Sequence, residues 1–153
     1  MLEQDPTFVP ALTVVEAAFR ARRMFKEAAV ARLSVDSTSV RSSLERVVAA
    51  SGYRGLMTFI SQQDEDRSAR EYISPYFMAY YHAAAGEPDR ALPWLEKAFE
   101  QGHPALVLLA IEPVYDAVRQ NGTFRRIEAG IGLRPDDRLA RVRLDGDDTP
   151  KTR

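Results

Sequence analysis

The side chains in this sequence that could do chemistry are few and scattered. It has two histidines, His82 and His103, and neither has an aspartate or glutamate at metal-ligand spacing, so no metal site is expected. The absence of cysteine removes disulfides, thiolate metal sites and cysteine nucleophiles together, and fits a reducing compartment such as the cytoplasm. No serine occupies a nucleophile elbow, no glycine-rich loop precedes a helix, and paired carboxylates fall only in loops and the C-terminal tail. Groups for acid–base, nucleophilic or phosphate chemistry are therefore not assembled, and neither an enzyme nor a bound cofactor is expected.

Two groups of residues are suited to recognition instead. Tyr72, Tyr76, Phe77, Tyr80 and Tyr81 crowd one region, and tyrosine offers a large contact area at low rotamer cost with a hydroxyl to orient a ligand. The competing reading gives Phe77 and Tyr81 to packing against neighbouring helices, and extends to Tyr76 and Tyr80 as well. Arg20, Arg22, Arg23 and Lys26 form a basic cluster that could grip a carboxylate or phosphate, or simply make a solvated turn. Asn121-Gly122-Thr123 matches a glycosylation acceptor but reads better as a turn and helix cap, because no export signal accompanies it. A formal charge of -1 gives no global field for nucleic acid or an anionic membrane. The longest apolar run, Ala105 to Ile111, is far short of the ~20 residues that span a bilayer.

The elements that must position these residues are helical. Apolar residues recur at helical spacing from Val9 to Leu33, broken at Arg20 to Arg23, which predicts two helices with Pro10 in the first turn of the earlier one. A second pair follows the polar cluster Val35 to Ser39. Ser42 and Glu45 have capping-box spacing, and the stripe Leu44, Val47, Val48, Ala50 stops at Gly52, after which Tyr53 to Ser61 returns. Gln62 to Arg70 has little apolar content and is expected to be a solvated loop or frayed end. Ser74-Pro75 supplies a cap and a first-turn proline for a third pair, Tyr76 to Ala85 and Pro88 to Glu100, stopped by Gly86 and Gly102. Short helical pieces are expected at Ala105 to Ile111, on to Arg119, and at Thr123 to Ile131. Residues 134–153 are charged and aperiodic, the composition of a disordered tail. No segment alternates as a strand would.

Self-similarity sharpens the architecture. Gly52 and Gly86 are 34 residues apart, the tetratricopeptide (TPR) period. Around Gly86, Met78-Ala79, His82, Ala91, Leu95 and Ala98 put small and large residues where a TPR helix pair needs them. Val15, Phe19, Ala28 and Leu33 give a weaker copy, with Glu16 at the usual Gly or Ala position and Arg23 at the usual turn Gly. The chain resembles the C-terminal TPR region of bacterial multidomain regulators, of the type found behind winged-helix, kinase or cyclase domains. The resemblance is closest over Glu71 to Pro75, Ala84 to Phe99, Glu112 to Arg119, Phe124 to Ile127 and Gly130 to Leu133, and loosely covers residues 5 to 133.

That resemblance implies an all-α, right-handed solenoid of about three helix pairs with a degenerate C-terminal capping unit over residues 1–133. It implies a concave groove lined by the first helix of each pair, with Thr13, Ala17, Arg20, Tyr76 and Tyr80 as the partner-binding set. The groove lacks the Lys and Asn set that reads a C-terminal carboxylate, and His82 falls where a TPR helix keeps a packing aromatic. The expected role is a protein–protein interaction module holding a peptide or partner domain in a regulatory setting. Two alternatives stay open: a homodimerising scaffold, and a small-molecule-sensing domain with a pocket near Tyr76 and Tyr80. Leu2 to Thr7 is similar to the close of a preceding unit, so the chain is read as a fragment of a longer regulator or a gene that has lost its effector domain.

Overall fold

The computed structural model describes residues 9–34 and 38–133, with side chains described from Val14 to Ser34 and from Val40 on. The expectations for Leu2 to Thr7 and for the tail 134–153 lie outside the described residues. Every regular element among those described is helical: α1 (Val9–Ala21), α2 (Phe25–Leu33), α3 (Thr38–Ser68), α4 (Pro75–Ala85), α5 (Pro88–Glu100), two 3₁₀ segments (Pro104–Ala110 and Pro113–Val118) and α6 (Gly122–Gly130). No described helix is long and apolar enough to cross a membrane.

Helices α1, α4 and α5 end where the backbone turns left-handed. Arg23 has φ 59, and the amides of Arg23 and Met24 donate to the carbonyls of Arg20 and Phe19 at 2.9 Å each. This pair of bonds closes the C-terminus of α1 by the Schellman pattern. The same closure recurs at Gly86, where the Glu87 amide reaches the His82 carbonyl at 2.9 Å, and at Gly102, where His103 reaches Ala98 at 3.0 Å. Arg23 does this without glycine's freedom, so α1 carries a strained closure that α4 and α5 avoid.

Gly52 behaves differently. Its φ of 65 is paired with ψ -163, a combination open almost only to glycine and useless for a Schellman closure. Instead of stopping and returning, the chain bends there and resumes as helix through Ser68. The returning helix thus extends past Ser61 through most of the stretch expected to be a solvated loop or a frayed helix end. Its last turns are held by ions rather than by burial: Arg67 reaches Asp64 at 3.0 Å and Glu71 at 2.5 Å, and Glu65 is 2.5 Å from Arg90.

Ser74 precedes Pro75 as expected, yet its hydroxyl makes no capping bond; it lies 3.1 Å from His103 Nε2. The two short pieces after α5 are 3₁₀ rather than α, and each is opened by a proline. Asn121 does cap α6, its Oδ1 accepting from the Thr123 amide at 2.8 Å.

Extensive packing runs between neighbours in sequence: α1 on α2, α2 on α3, α3 on α4, α4 on α5, and α5 on α6, with Pro113–Val118 resting on α4 and α5. The buried residues form two clusters. One holds Ala28, Leu33, Leu44, Tyr53, Leu56, Met57 and Ile60; the other holds Tyr76, Ala79, Leu95, Leu106, Leu109, Tyr115, Phe124 and Ile127. Helix α4 belongs to both, giving Ala85 to the first and Ala79 to the second. Met78, Ala79, His82, Ala91, Leu95 and Ala98 are all fully buried. Small Ala79 and Ala91 let α4 and α5 approach closely.

Candidate functional site

Between the two apolar clusters lies a set of buried polar side chains. Glu16 and Arg20 are one helical turn apart on α1 and are only 2% and 8% exposed. Tyr53 comes from just past the bend in α3, Tyr80 from the middle of α4, and Glu112 from the junction of the two 3₁₀ segments. A carboxylate so buried must be hydrogen-bonded or neutral. Glu16 accepts from the Tyr53 hydroxyl on one oxygen and, at 3.0 Å, from the Tyr80 hydroxyl on the other. Tyr80 in turn accepts from Arg20 Nε at 3.1 Å, and Arg20 Nη2 donates to Glu112 Oε2 at 2.8 Å. The Arg20 guanidinium also sits 5.1 Å from the centre of the Tyr80 ring, a cation–π distance.

The electrostatics follow from burial. Desolvation holds the Glu16 carboxyl above the usual carboxylate range, although Tyr53, Tyr80 and Arg20 all oppose the shift. Burial also works against the charge of Arg20, but Tyr80 and Glu112 more than offset it, so Arg20 stays a cation. Burial raises the hydroxyls of Tyr53, Tyr76, Tyr80 and Tyr115, so all four remain neutral donors. The Tyr115 hydroxyl, at the edge of this set, is buried without a hydrogen-bond partner.

In this arrangement the polar groups are largely engaged with one another. Its one strong cation already faces a carboxylate, and its hydroxyls are hydrogen-bonded or buried. Among the described residues, no group of three His, Asp or Glu side chains is placed to hold a metal ion.

Of the expected partner-binding residues, Arg20 and Tyr80 come into direct contact. Tyr76 is one turn away, buried and stacked on His103 at 5.3 Å with the rings 8° from parallel. Ala17 is half-buried on α1, and the side chain of Thr13 lies outside the described residues. The expected division among the aromatics is reversed for Phe77: it is 42% exposed, while Tyr76 and Tyr80 are buried. Tyr76 packs in the cluster that holds Tyr115 and Val118, and Tyr80 is bonded to Glu16 and Arg20 of α1. The basic cluster is split as well. Arg20 turns inward to Glu112, whereas Arg22, Arg23 and Lys26 are exposed at the α1–α2 turn.

Sequence reasoning missed Glu16, Tyr53, Glu112 and Tyr115 as members of one site. Glu16 carried a signal, being an acid where a tightly packed helix pair needs a small residue. Glu112 carried none, since its approach to Arg20 depends on how the 3₁₀ segments fold back. His82 also departs from expectation: Glu65 and Glu87 lie 3.0 Å from its two ring nitrogens, though they are remote or offset in sequence.

No family model, curated protein or solved structure matches the chain.

Proposed function

We propose that this chain is a TPR-like stack of helical hairpins that works as an interaction module, holding a segment of a partner protein along the inner face to which α1 and α4 contribute. The observation that carries this reading is the order of packing, each helix lying chiefly on its neighbour in sequence. A chain built that way presents an extended surface instead of a single closed core. Arg20, Tyr76 and Tyr80 set the shape of that face from beneath. The contact itself falls to exposed apolar side chains beside them: Phe77, stacked on Tyr81 and edge-on to His103, with Val107, Leu108 and Ile111 nearby in sequence to His103 and Glu112.

The test is to pan a random peptide display library against the purified chain and measure the enriched peptide by fluorescence anisotropy. The expected result is a Kd of order micromolar, weakened about tenfold or more by Phe77→Asp with the helical circular dichroism signal unchanged. Failure to enrich any peptide, or binding indifferent to Phe77→Asp, counts against the reading.

A second reading, a homodimer through the N-terminal helices, is favoured by the exposure of Val14, Val15, Phe25, Val30 and Val40 on α1, α2 and α3. Light scattering at twice the chain mass, reduced to the monomer by Val30→Asp, would support it.

A further inference from the structure

Apart from its three tyrosines, His82 is the one titratable residue of α4, and it is fully buried. Glu87, at the α4–α5 turn, lies 3.0 Å from Nδ1, and Glu65 of α3 lies 3.0 Å from Nε2. The Nε2 contact is close but off the donor axis, so it is not an aligned hydrogen bond and is an ion pair only when the imidazole is protonated. Arg90 of α5 then joins the same two carboxylates, Nη2 at 2.5 Å from Glu65 and Nη1 at 3.2 Å from Glu87. The four groups form a closed ring, Glu65–His82–Glu87–Arg90, drawn from three consecutive helices and the turn between two of them. Arg54 of α3 also reaches α4, but its donors go to the carbonyls of Ala85 and Gly86.

Charge alternates around the ring only when the imidazole carries both protons. A neutral imidazole has one N–H and one lone pair, so one nitrogen would then face a carboxylate oxygen lone pair to lone pair. Because the His82 ring itself is shielded from water, though Glu65 is 30% exposed, that corner is repulsive. The segment served by this corner is held chiefly by charge, its other shielded group being Asp64, near Arg67 and Arg32 of α2. From Gln62 to Ser68 no residue of α3 is buried, and Glu65 is its link to both α4 and α5. We propose that His82 is a proton-operated latch that docks the last two turns of α3 onto α4 and α5, closed while the imidazole is doubly protonated and released when it loses a proton.

Hydrogen exchange of the intact chain, corrected for intrinsic rates, tests this between about pH 6 and about pH 8.5, which brackets histidine ionisation. Protection over Gln62–Ser68 is expected to fall about tenfold across that range, the worth of one contact to a charged group. Protection around Leu95 in α5 should hold. Glu65→Gln, a change at a half-exposed position, should abolish the pH response, and His82→Gln should leave the segment unprotected at both ends of the range. If His82→Gln does not fold, Glu65→Gln decides alone. A flat profile in the native chain, a response surviving Glu65→Gln, or equal loosening of α5 would overturn the latch.

Discussion

Arg20 Nη2 donates to Glu112 Oε2 at 2.8 Å, joining the first described helix to a residue 92 positions later in the chain. Both side chains are largely shielded, at 7% and 16% exposure. The guanidinium also lies 3.9 Å from the buried Glu16. Losing either end of the pair should therefore be unequal in cost. Glu112→Gln keeps an acceptor for Arg20 and is expected to cost about 1 kcal/mol. Arg20→Met strips two shielded carboxylates of their cation and should cost about 3 kcal/mol. Urea unfolding of the two variants checks the ranking, and equal losses would show that Arg20 is not the hub of the network.

Two tyrosines in the same region should respond in opposite directions to loss of the hydroxyl. Tyr80 both donates to Glu16 and accepts from Arg20, so Tyr80→Phe leaves two buried charged groups short of a partner and should cost about 1–3 kcal/mol. The Tyr115 hydroxyl is buried with no partner, so Tyr115→Phe removes a desolvation penalty and should be neutral or stabilising by up to about 1 kcal/mol. Thermal unfolding of the pair settles it. A destabilised Tyr115→Phe would mean that a buried water or ligand satisfies that hydroxyl.

Gly52 provides a backbone test. A Cβ there meets open space, so any cost of substitution comes from φ 65 with ψ -163 alone. Gly52→Ala should cost about 1–3 kcal/mol, and Gly52→Asn should fare no better, because asparagine's tolerance is for the left-handed helical region with ψ near +45. If asparagine rescued stability, the bend would be an ordinary left-handed stop.

Local signals in the sequence carried much of the helix pattern. Proline at helix starts, glycine at helix ends and the Met78–Ala98 spacing are rules of one or two turns, and the structure obeys them at Pro75, Pro88, Gly86 and Gly102. Gly52 defeated the same rule because a positive φ does not fix ψ, and only the packing of α3 on α2 and α4 decides whether the chain stops or bends. The end of α3 was illegible for another reason: its stability lies in ion pairs to Arg90 and His82, which have no hydrophobic period. Of the buried polar set, the sequence singled out Tyr76, Tyr80 and Arg20, and not Glu16, Tyr53, Glu112 or Tyr115. A buried polar network is defined by partners distant in sequence, and single-residue patterns cannot pair them.

Glu16 gives the last prediction its sign. Its carboxyl is held above the ordinary value of 4.5 in the folded chain, chiefly by burial. The folded state therefore keeps a proton that the unfolded chain has already released, and over that interval stability falls as pH rises. The contribution is fully present below about pH 4.5 and is lost as pH climbs through the raised folded value. Glu16→Gln cannot ionise, yet its amide oxygen can still accept from one of the two tyrosines. The native chain should thus be relatively more stable than Glu16→Gln at acid pH, and should lose that advantage toward neutrality. Other titrating groups are shared by both chains and cancel in the difference. Urea unfolding at about pH 4.5 and about pH 7.5 measures it: a difference between the two chains that stayed constant would mean Glu16 titrates alike in the folded and unfolded states, and one that moved the other way would mean its hydrogen bonds outweigh its burial.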